Sequence, residues 1–261
     1  MLTNHFLDGQ PSWADVSGED VPALAAFYEK VFGWQFISGG PEAGGYGMFT
    51  LDGKTVAAAG PCQENGPNWM LYFQTSDADE TVARIEEAGG TVRQPVMQVF
   101  DAGRLAQATD PTGADFAVWE PMEVKGLDLV THPGAFFWTE LYTGDARKAK
   151  DFYQSVFGWR YNDQQMAPED PMDVYSIVSV DGDEDKAQGG LVQLPESMLA
   201  ESGPYWQPYF FVTDCDAVAR AATEAGGQIL MGPLSMPGVG RLASLTDPQG
   251  ALFSVITPSP E

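Results

Sequence analysis

Cysteine and histidine are scarce in this chain, with two of each among 261 residues. Cys62 and Cys215 cannot make a disulfide framework, so we expect a reducing compartment and predict a cytoplasmic protein. His5 and His132 precede predicted strands and do not lie on firm elements. They are therefore poor candidates for metal ligands or for the general base of a nucleophile.

Basic residues and long apolar runs are also missing. The chain has 13 Lys and Arg against 37 Asp and Glu, a formal net charge of −24. Such a surface repels phosphate backbones and anionic lipids, so we expect no nucleic-acid and no membrane partner. No apolar run approaches the roughly 20 residues of a membrane span. The first ten residues, MLTNHFLDGQ, do not resemble a signal peptide. We expect a monomer or a weak homodimer.

The chain does contain an internal repeat. FYEKVFGW at 27–34 recurs as FYQSVFGW at 152–159, an offset of 125. Past residue 60 the offset becomes 137, so the second copy carries 12 extra residues; there GRLAQATDPTGADF (103–116) recurs as GRLASLTDPQGALF (240–253). Six of the seven tryptophans fall into pairs at these offsets, which makes chance similarity untenable. The repeat predicts two domains, 1–122 and 135–261, joined by a linker at 123–134.

Each half divides again into two similar modules. Asp20 is placed to cap a helix that Gly33 closes in a left-handed conformation. In the next module Asp77 is placed to cap a helix, with Glu80 as its capping-box partner. Strand-like runs surround both helices, and the turn DPTG (110–113) precedes the last strand. The sequence predicts an α+β protein built from four βαβββ modules.

These motifs together resemble the vicinal oxygen chelate superfamily, which includes glyoxalase I, bleomycin-resistance proteins, fosfomycin-resistance proteins and extradiol dioxygenases. The resemblance covers nearly the whole chain twice and is greatest to a tandem-domain, actinobacterial-type branch. It implies two tandem glyoxalase-like domains, each a cupped mixed sheet of eight strands with helices outside. Each cup would be a cavity for a small-molecule ligand.

Metal-using relatives in that superfamily hold Fe, Mn, Ni or Zn with a histidine on a first strand and a glutamate on a last strand. The corresponding first-strand positions here are Trp13 and Trp138, and the last-strand positions are Ala117 and Ser254. The second histidine would fall near Met70 or Leu71 in the first half, and near Gln207 or Pro208 in the second. Since these side chains are neither imidazoles nor carboxylates, we predict no metal and no other cofactor.

Two carboxylates stand near the substituted metal positions. Side chains two residues apart on a strand share a face, so Asp15 lies on the face of Trp13, and Glu140 on the face of Trp138. Either carboxylate could act as a catalytic general acid or base. Alternatively, each is bound by backbone amides or by Arg104 or Arg241 and only orders the sheet. The two arginines could themselves anchor an acidic ligand or form salt bridges.

The predicted ligand-binding residues surround these carboxylates in the expected cups. Tyr72 and Tyr209 could donate hydrogen bonds to a ligand or simply be core aromatics. The extra residues of the second half, across 162–170 and 194–202, could form a lid or a disordered loop. The predicted ligand-binding residues are Trp13, Trp138, Tyr72, Tyr209, Met70, Gln207, Tyr142 and Ser254.

The function predicted from these features is the metal-independent binding of a small, largely apolar organic molecule. Binding would serve either sequestration, as in bleomycin-resistance proteins, or cofactor-free acid–base chemistry by a lyase, isomerase or oxygenase. Whether the protein is an enzyme stays open at this point. The alternatives are a metal-dependent lyase, hydroxylase or dioxygenase, which only the resemblance supports, and a partner-binding scaffold.

Overall fold

The computed structural model describes residues 2–62, 66–166, 173–182, 186–200 and 202–259. The strands of the first half are β1 Pro11–Gly18, β2 Gln35–Ser38, β3 Gly47–Leu51, β4 Lys54–Pro61, β5 Asn68–Gln74, β6 Thr91–Val99, β7 Gly103–Thr109 and β8 Asp115–Pro121. Those of the second half are β9 Phe136–Thr143, β10 Arg160–Gln165, β11 Val174–Ser179, β12 Ala187–Gln193, β13 Tyr205–Phe211, β14 Gln228–Met236, β15 Gly240–Thr246 and β16 Leu252–Pro258. The helices are α1 Val21–Phe32, α2 Ala78–Glu87, α3 Ala146–Phe157, α4 Glu196–Leu199 and α5 Cys215–Glu224.

The strands form two sheets of eight. Their orders are β2-β3-β4-β1-β5-β8-β7-β6 and β10-β11-β12-β9-β13-β16-β15-β14, so the second sheet repeats the first. In each module the first strand pairs in parallel with the last strand, and the remaining ladders are antiparallel, as in β1–β4 and β3–β4. The predicted α+β class and the four βαβββ modules are confirmed.

The longer helices begin and end where the sequence predicts. The Asp20 side chain accepts a hydrogen bond from the backbone N–H of Ala23 at 2.9 Å, and Asp145 caps α3 in the same way. Gly33 and Gly158 end α1 and α3 with φ of 74° and 72°. Glycine adopts this left-handed conformation without the steric cost that a Cβ would add.

The capping box predicted for α2 is wrong in one of its two bonds. Asp77 does accept from the N–H of Glu80 at 2.9 Å. The Glu80 carboxylate, however, binds Arg84 at 3.1 Å, and the N–H of Asp77 donates to the hydroxyl of Thr75. The threonine satisfies the donor that a capping box would have assigned to Glu80, so the glutamate is free to pair one helical turn onward.

Contacts between residues divide the chain into two compact units, each of which contains parts of both sequence repeats. One unit comprises 1–13, 71–126 and 138–206, and the other comprises 14–70, 127–137 and 207–261. The domain limits predicted from the repeat, with boundaries at 122 and 135, stay a prediction.

The core of the first unit is organised around the tyrosine of FYQSVFGW. The hydroxyl of Tyr153 donates to Asp110 at 3.0 Å and accepts from the indole of Trp206 at 2.8 Å. Burial, and next the charge of Asp110, raise the pKa of Tyr153 well above its ordinary value, so the hydroxyl keeps its proton and remains a donor. The indole of Trp159, from the same motif, donates to the backbone oxygen of Gly9 at 2.9 Å.

The second unit repeats this arrangement with the equivalent residues. Tyr28 donates to Asp247 at 3.1 Å and accepts from the indole of Trp69 at 3.0 Å. Burial is the main cause of a raised pKa for both Tyr28 and Asp247. The indole of Trp34 donates to the backbone oxygen of Gly134 at 2.6 Å, the counterpart of the bond at Gly9.

The predicted linker at 123–134 is tied to the sheet rather than extended in solvent. In the second unit, the N–H of Asp128 donates to the carbonyl of Thr55, and the N–H of Thr55 donates to the Asp128 carboxylate, both at 2.9 Å. Leu127 beside them is buried. This segment therefore contributes to a core as well as joining the repeats.

Within the described ranges, none of the helices has the length and apolar character needed to cross a membrane.

The buried tyrosine–carboxylate bond gives a test of these cores. Replacing Tyr153→Phe removes the donor to Asp110 and leaves the indole N–H of Trp206 without its acceptor. We expect the free energy of unfolding to fall by about 1–3 kcal/mol, measured by urea denaturation. The control is Tyr161→Phe, whose hydroxyl donates to the Lys150 carbonyl at 3.2 Å; it should cost less than about 1 kcal/mol. Equal losses in the two variants would contradict this role of Tyr153.

Candidate functional site

The first strand of each half carries a buried carboxylate. Asp15 on β1 and Glu140 on β9 are each 9% exposed. Both strands are central in their sheets, so backbone pairing on either side fixes where the carboxylates lie. The neighbouring indoles differ, since Trp13 is buried and Trp138 is half-buried.

Two phenol hydroxyls donate to the carboxylate of Glu140. Tyr142, two residues onward on the same face of β9, donates to Oε2 at 2.5 Å. Tyr175 on β11 donates to Oε1 at 2.6 Å, and the indole of Trp138 donates to the Tyr175 hydroxyl at 3.0 Å. Because the indole occupies a lone pair of the Tyr175 oxygen, it favours the orientation in which the phenol proton points to Glu140.

A glycine makes room for Tyr175. Glu140 pairs in register with Gly190 on β12. A Cβ atom at position 190 would come within 2.1 Å of the Tyr175 hydroxyl oxygen, far inside van der Waals contact. Any larger residue at this position would displace the phenol from the carboxylate.

A third tyrosine completes what we name the Glu140 cluster, which consists of Trp138, Glu140, Tyr142, Tyr175 and Tyr205. The rings of Tyr142 and Tyr205 lie 5.1 Å apart, centroid to centroid. Burial, and next the negative charge of Glu140, raise the pKa of Tyr205 to about 12. The three tyrosines are half-buried and pack against an apolar group formed by Val192, Leu194 and Leu199.

The first half holds an equivalent but different arrangement, the Asp15 cluster, which consists of Asp15, Ser17, Tyr46 and Asn68. The hydroxyl of Tyr46 donates to Asp15 at 2.9 Å. The hydroxyl of Ser17 donates to the side-chain oxygen of Asn68 at 2.7 Å.

Strand register shows that Tyr46 and Tyr175 are equivalent. Asp15 pairs with Ala58, which pairs with Met48, two residues after Tyr46. In the other half, Glu140 pairs with Gly190, which pairs with Ile177, two residues after Tyr175. The two positions are 129 residues apart.

The remaining predicted residues of the second half lie in buried positions. Gln207 donates to the hydroxyls of Ser254 and Ser244 at 2.5 and 3.2 Å, and the two serine oxygens are 2.9 Å apart. The structure therefore brings the predicted pair Gln207 and Ser254 together on β13 and β16. Tyr209 pairs in register with Ser254, and it is buried.

In the first half, Tyr72 is buried and pairs in register with Ala117, while Met70 is half-buried. Neither contributes a charged group. These two residues therefore stay predictions as ligand contacts.

Of the two predicted interpretations for the arginines, salt bridges are what the structure contains. Arg104 binds Glu120 at 3.0 Å and Asp79 at 2.5 Å. Arg241 binds Asp216 through two guanidinium nitrogens, Nε and Nη2, the latter at 2.8 Å. Each arginine thus pairs with carboxylates of its own unit.

Sequence reasoning missed Tyr46, Tyr175, Tyr205 and Ser244. For Tyr46 and Tyr175 the reason is that the 12 extra residues of the second half fall in three places. Strand register places four of them between β10 and β11, three between β11 and β12, and five between β12 and β13. Neither a 125-residue nor a 137-residue offset therefore aligns Tyr46 with Tyr175. An alignment at 129 residues was the signal that could have found this pair.

The predicted lid segments have two outcomes. Of residues 162–170, the last four lie outside the described residues. Residues 194–200 contain the short helix α4, and its Leu199 is buried in the apolar group under the Glu140 cluster. An insertion found only in the second half thus helps to build the site of that half.

The donor set does not fit the metal site that the resemblance implies. In the described part of the chain, no group of three or more His, Cys, Asp or Glu side chains could hold a metal ion. His5 and His132 are both exposed. The first-strand positions are occupied by indoles, and the last-strand positions by Ala117 and Ser254, which supply neither an imidazole nor a carboxylate.

Two surface pockets lie elsewhere. One of about 340 Å³ is lined by Ala88, Pro111, Lys148 and Phe152, among others, and one of about 360 Å³ lies around Arg241. Neither contains Glu140 or Asp15. The chemistry of a buried carboxylate with phenol partners, rather than the volume of a surface pocket, identifies the Glu140 cluster as the candidate site.

Comparison with known proteins adds three findings. The family model described as Glyoxalase/Bleomycin resistance protein/Dioxygenase superfamily matches residues 5–118 and 135–255. CFP32 of Mycobacterium tuberculosis, provisionally named a glyoxylase, is 35% identical over 265 residues that cover 99% of this chain and 98% of CFP32. DnrV of Streptomyces peucetius, named an anthracycline biosynthesis protein, is 37% identical over 269 residues that cover 96% and 94%.

Solved structures with the same fold are more distant in sequence. The 2,3-dioxygenase LapB from Pseudomonas sp. KL28 has a TM-score of 0.67 at 14% identity, over 97% of this chain and 94% of LapB. The Mn(II)-bound glyoxalase from Novosphingobium aromaticivorans has a TM-score of 0.67 at 16% identity, over 96% and 83%. At these identities the similarity is evidence for the fold alone.

The charge of Glu140 gives a pH test of the cluster. A carboxylate beside a phenol disfavours the phenolate, so Glu140→Gln should lower the pKa of Tyr205 from about 12. The pKa should stay above its ordinary value, because burial, the larger cause, is unchanged. The pKa is measured by alkaline titration of phenolate absorbance in wild type and in Glu140→Gln. From each curve the titration of the same protein carrying Tyr205→Phe is subtracted, which leaves the signal of Tyr205. An unaltered pKa in the Glu140→Gln protein would contradict the proximity of these two residues.

Proposed function

This chain belongs to the Glyoxalase/Bleomycin resistance protein/Dioxygenase superfamily, and we propose that it binds a small, largely apolar organic molecule at the Glu140 cluster without a metal ion. One observation carries the proposal. Two residues from the position where metal-using relatives would have a ligand histidine, this chain has a buried carboxylate, Glu140. Two phenols donate hydrogen bonds to this carboxylate, and their side chains are half-buried.

The cluster has the chemistry to bind a ligand hydroxyl. The Glu140 carboxylate accepts hydrogen bonds from Tyr142 and Tyr175, and both tyrosines are partly exposed. A ligand O–H that replaces one phenol donor keeps the carboxylate satisfied, so binding does not leave a buried charge without a partner. The aromatic rings around it supply apolar contact area for the rest of the ligand.

Two uses of such a site follow from the same geometry. Sequestration needs only the hydrogen bond and the aromatic contacts. Acid–base catalysis requires in addition that Glu140 accept a proton from the bound ligand and that a phenol such as Tyr175 donate a proton to another atom of the ligand. In both, Glu140 is the central residue and no cofactor takes part.

The alternative is a metal-dependent lyase, hydroxylase or dioxygenase of the same superfamily. It is supported by neighbours whose names record dioxygenase activity or a Mn(II)-bound glyoxalase. It is opposed by the donor set of this chain, which offers amides, indoles and hydroxyls at the corresponding positions. Hard and borderline metal ions require imidazoles and carboxylates there.

The relatives support an organic ligand. DnrV and DauV, at 37% identity over nearly the whole chain, are named anthracycline biosynthesis proteins. Anthracyclines are polycyclic aromatic compounds with hydroxyl groups, which is the combination that a carboxylate within a group of tyrosines would recognise. For this chain we propose the chemistry of such a ligand and not its identity.

We retain several further expectations as proposals. The net charge of −24 supports a protein without nucleic-acid or membrane partners. A cytoplasmic location agrees with two free thiols, of which Cys215 is buried. The monomer or weak homodimer stays an expectation. The catalytic role predicted for Asp15 stays a prediction, and the proposed site does not include it.

The role of Glu140 is tested with a minimal ligand, 2-naphthol, which is apolar apart from one hydroxyl. We expect Glu140→Gln to weaken binding about tenfold or more, because hydrogen bonds to charged groups contribute about 1.5–3 kcal/mol. Isothermal titration calorimetry and ligand-observed NMR measure the affinity. The matched control is Asp15→Asn, the equivalent carboxylate that the proposal leaves outside the binding site, and it should change the affinity less than about twofold. Binding that is the same in both variants would refute the proposal.

Metal independence is tested separately. We expect 2-naphthol to bind equally well after dialysis against a chelator and after addition of Mn²⁺, Ni²⁺ or Zn²⁺, since no donor set of the described residues suits these ions. Elemental analysis of protein purified without chelator accompanies the titration. A stoichiometric transition metal whose removal abolishes binding would overturn the metal-free proposal and favour the alternative.

A further inference from the structure

The two halves share one part of their clusters and differ in another. Each has an indole and a carboxylate two residues apart on the first strand, and a phenol that donates to the carboxylate from an equivalent position. The difference lies in a second pair of positions. Ser17 and Asn68 of the first half correspond to Tyr142 and Tyr205 of the second, at offsets of 125 and 137.

The pair in the first half is small and joined by hydrogen bonds. The Ser17 hydroxyl donates to the Asn68 side-chain oxygen at 2.7 Å. The backbone N–H of Asn68 in turn donates to the Ser17 oxygen at 3.3 Å. A hydroxyl and an amide that bind each other present no ring face and little apolar area to a ligand.

The pair in the second half is aromatic and partly exposed. The rings of Tyr142 and Tyr205 lie 5.1 Å apart at an interplanar angle of 33°, and both are half-buried. Both rings pack against the apolar group of Val192, Leu194 and Leu199. Leu199 lies on α4, which has no counterpart among the described residues of the first half. Trp138 is half-buried as well, whereas Trp13 in the first half is 7% exposed.

The hydroxyl of Tyr205 is also suited to a ligand. Among the described residues, no hydrogen-bond partner of this hydroxyl is present. The phenol carries its proton at neutral pH, as an ordinary tyrosine does. It can therefore donate to a ligand oxygen near the carboxylate.

We propose that Tyr142 and Tyr205 make the second half selective for planar aromatic hydroxy compounds, and that the Ser17–Asn68 pair denies the first half this selectivity. The inference rests on the proposed function, because it names the ligand class of the same Glu140 cluster. The aromatic rings provide stacking and edge contacts that a saturated ring of the same size cannot provide.

The test compares 2-naphthol with decahydro-2-naphthol, which has the same carbon skeleton and hydroxyl but is saturated. The quantity measured is the ratio of the two affinities, from calorimetry and ligand-observed NMR. Wild-type protein should favour 2-naphthol. The double variant Tyr142→Ser, Tyr205→Asn, which introduces the pair of the first half, should lower this ratio about two- to tenfold, the range expected for the loss of an aromatic contact. Tyr205→Phe, which keeps the ring, should preserve the ratio within about twofold.

Failure of the inference and failure of the proposed function give different results. If Glu140→Gln weakens both probes while the ratio is the same in wild type and in the folded double variant, the ligand-class inference is overturned and the proposed function stands. If Glu140→Gln weakens neither probe, the proposed function is overturned and the inference with it.

A second measurement on wild-type protein does not depend on the double variant folding. Tyrosine labelled with ¹³C in the ring gives signals that Tyr142→Phe and Tyr205→Phe assign. 2-Naphthol should shift the Tyr142 and Tyr205 signals by ring-current effects that decahydro-2-naphthol lacks. Shifts confined to other tyrosines would overturn the inference.

Discussion

The hydrogen bond between a buried tyrosine and a buried aspartate is the constraint on which both cores depend. Tyr153 binds Asp110 in one compact unit and Tyr28 binds Asp247 in the other, each with an indole donating to the same phenol. In each unit the tyrosine belongs to one sequence repeat and the aspartate to the other, 43 or 219 residues away. The repeated spellings FYxxVFGW and TDPxG are therefore the two ends of one interaction. Neither repeat supplies a complete core by itself.

The sequence was sufficient for the local structure but not for this pairing. Asp20 and Gly33 act on backbone groups within a few residues, so their roles follow from local rules, and both were predicted. The Glu80 capping box was predicted by the same rules and is wrong, because Thr75 from outside the helix competes for the same N–H. The bond from Tyr28 to the Asp247 turn joins segments whose proximity no periodicity encodes. Local rules place Tyr28 on the helix between Asp20 and Gly33 but do not reveal that its hydroxyl has a buried acceptor.

The part of the candidate site that was predicted also depends on a local rule. Glu140 and Tyr142 share a face of one strand, so alternation alone brings them together, and their bond at 2.5 Å follows. Tyr175 and Tyr205 come from other strands. Insertions of unequal length hide the correspondence of Tyr175 with Tyr46, whereas Tyr205 aligns at the 137-residue offset with Asn68, which is not aromatic. Gly190, which makes room for Tyr175, carries no side chain by which a motif could be recognised. What sequence could not supply was the register that places these residues around one carboxylate.

A carboxylate that accepts a hydrogen bond from a phenol occurs both in the cores and in the candidate site, but its role differs between them. Oδ1 of Asp110 accepts from the backbone N–H groups of Thr112, Gly113 and Ala114, and the residue is 3% exposed. Those donors belong to a turn and cannot leave without unfolding it, so the phenol bond there is structural. Glu140 is bound by phenols on half-exposed side chains, which can rotate about their own bonds. A ligand hydroxyl can replace such a donor at the cost of a rotamer change, whereas replacing a donor of Asp110 would require opening the core. Exposure of the partner, more than burial of the acid, thus separates the binding carboxylate from the structural one.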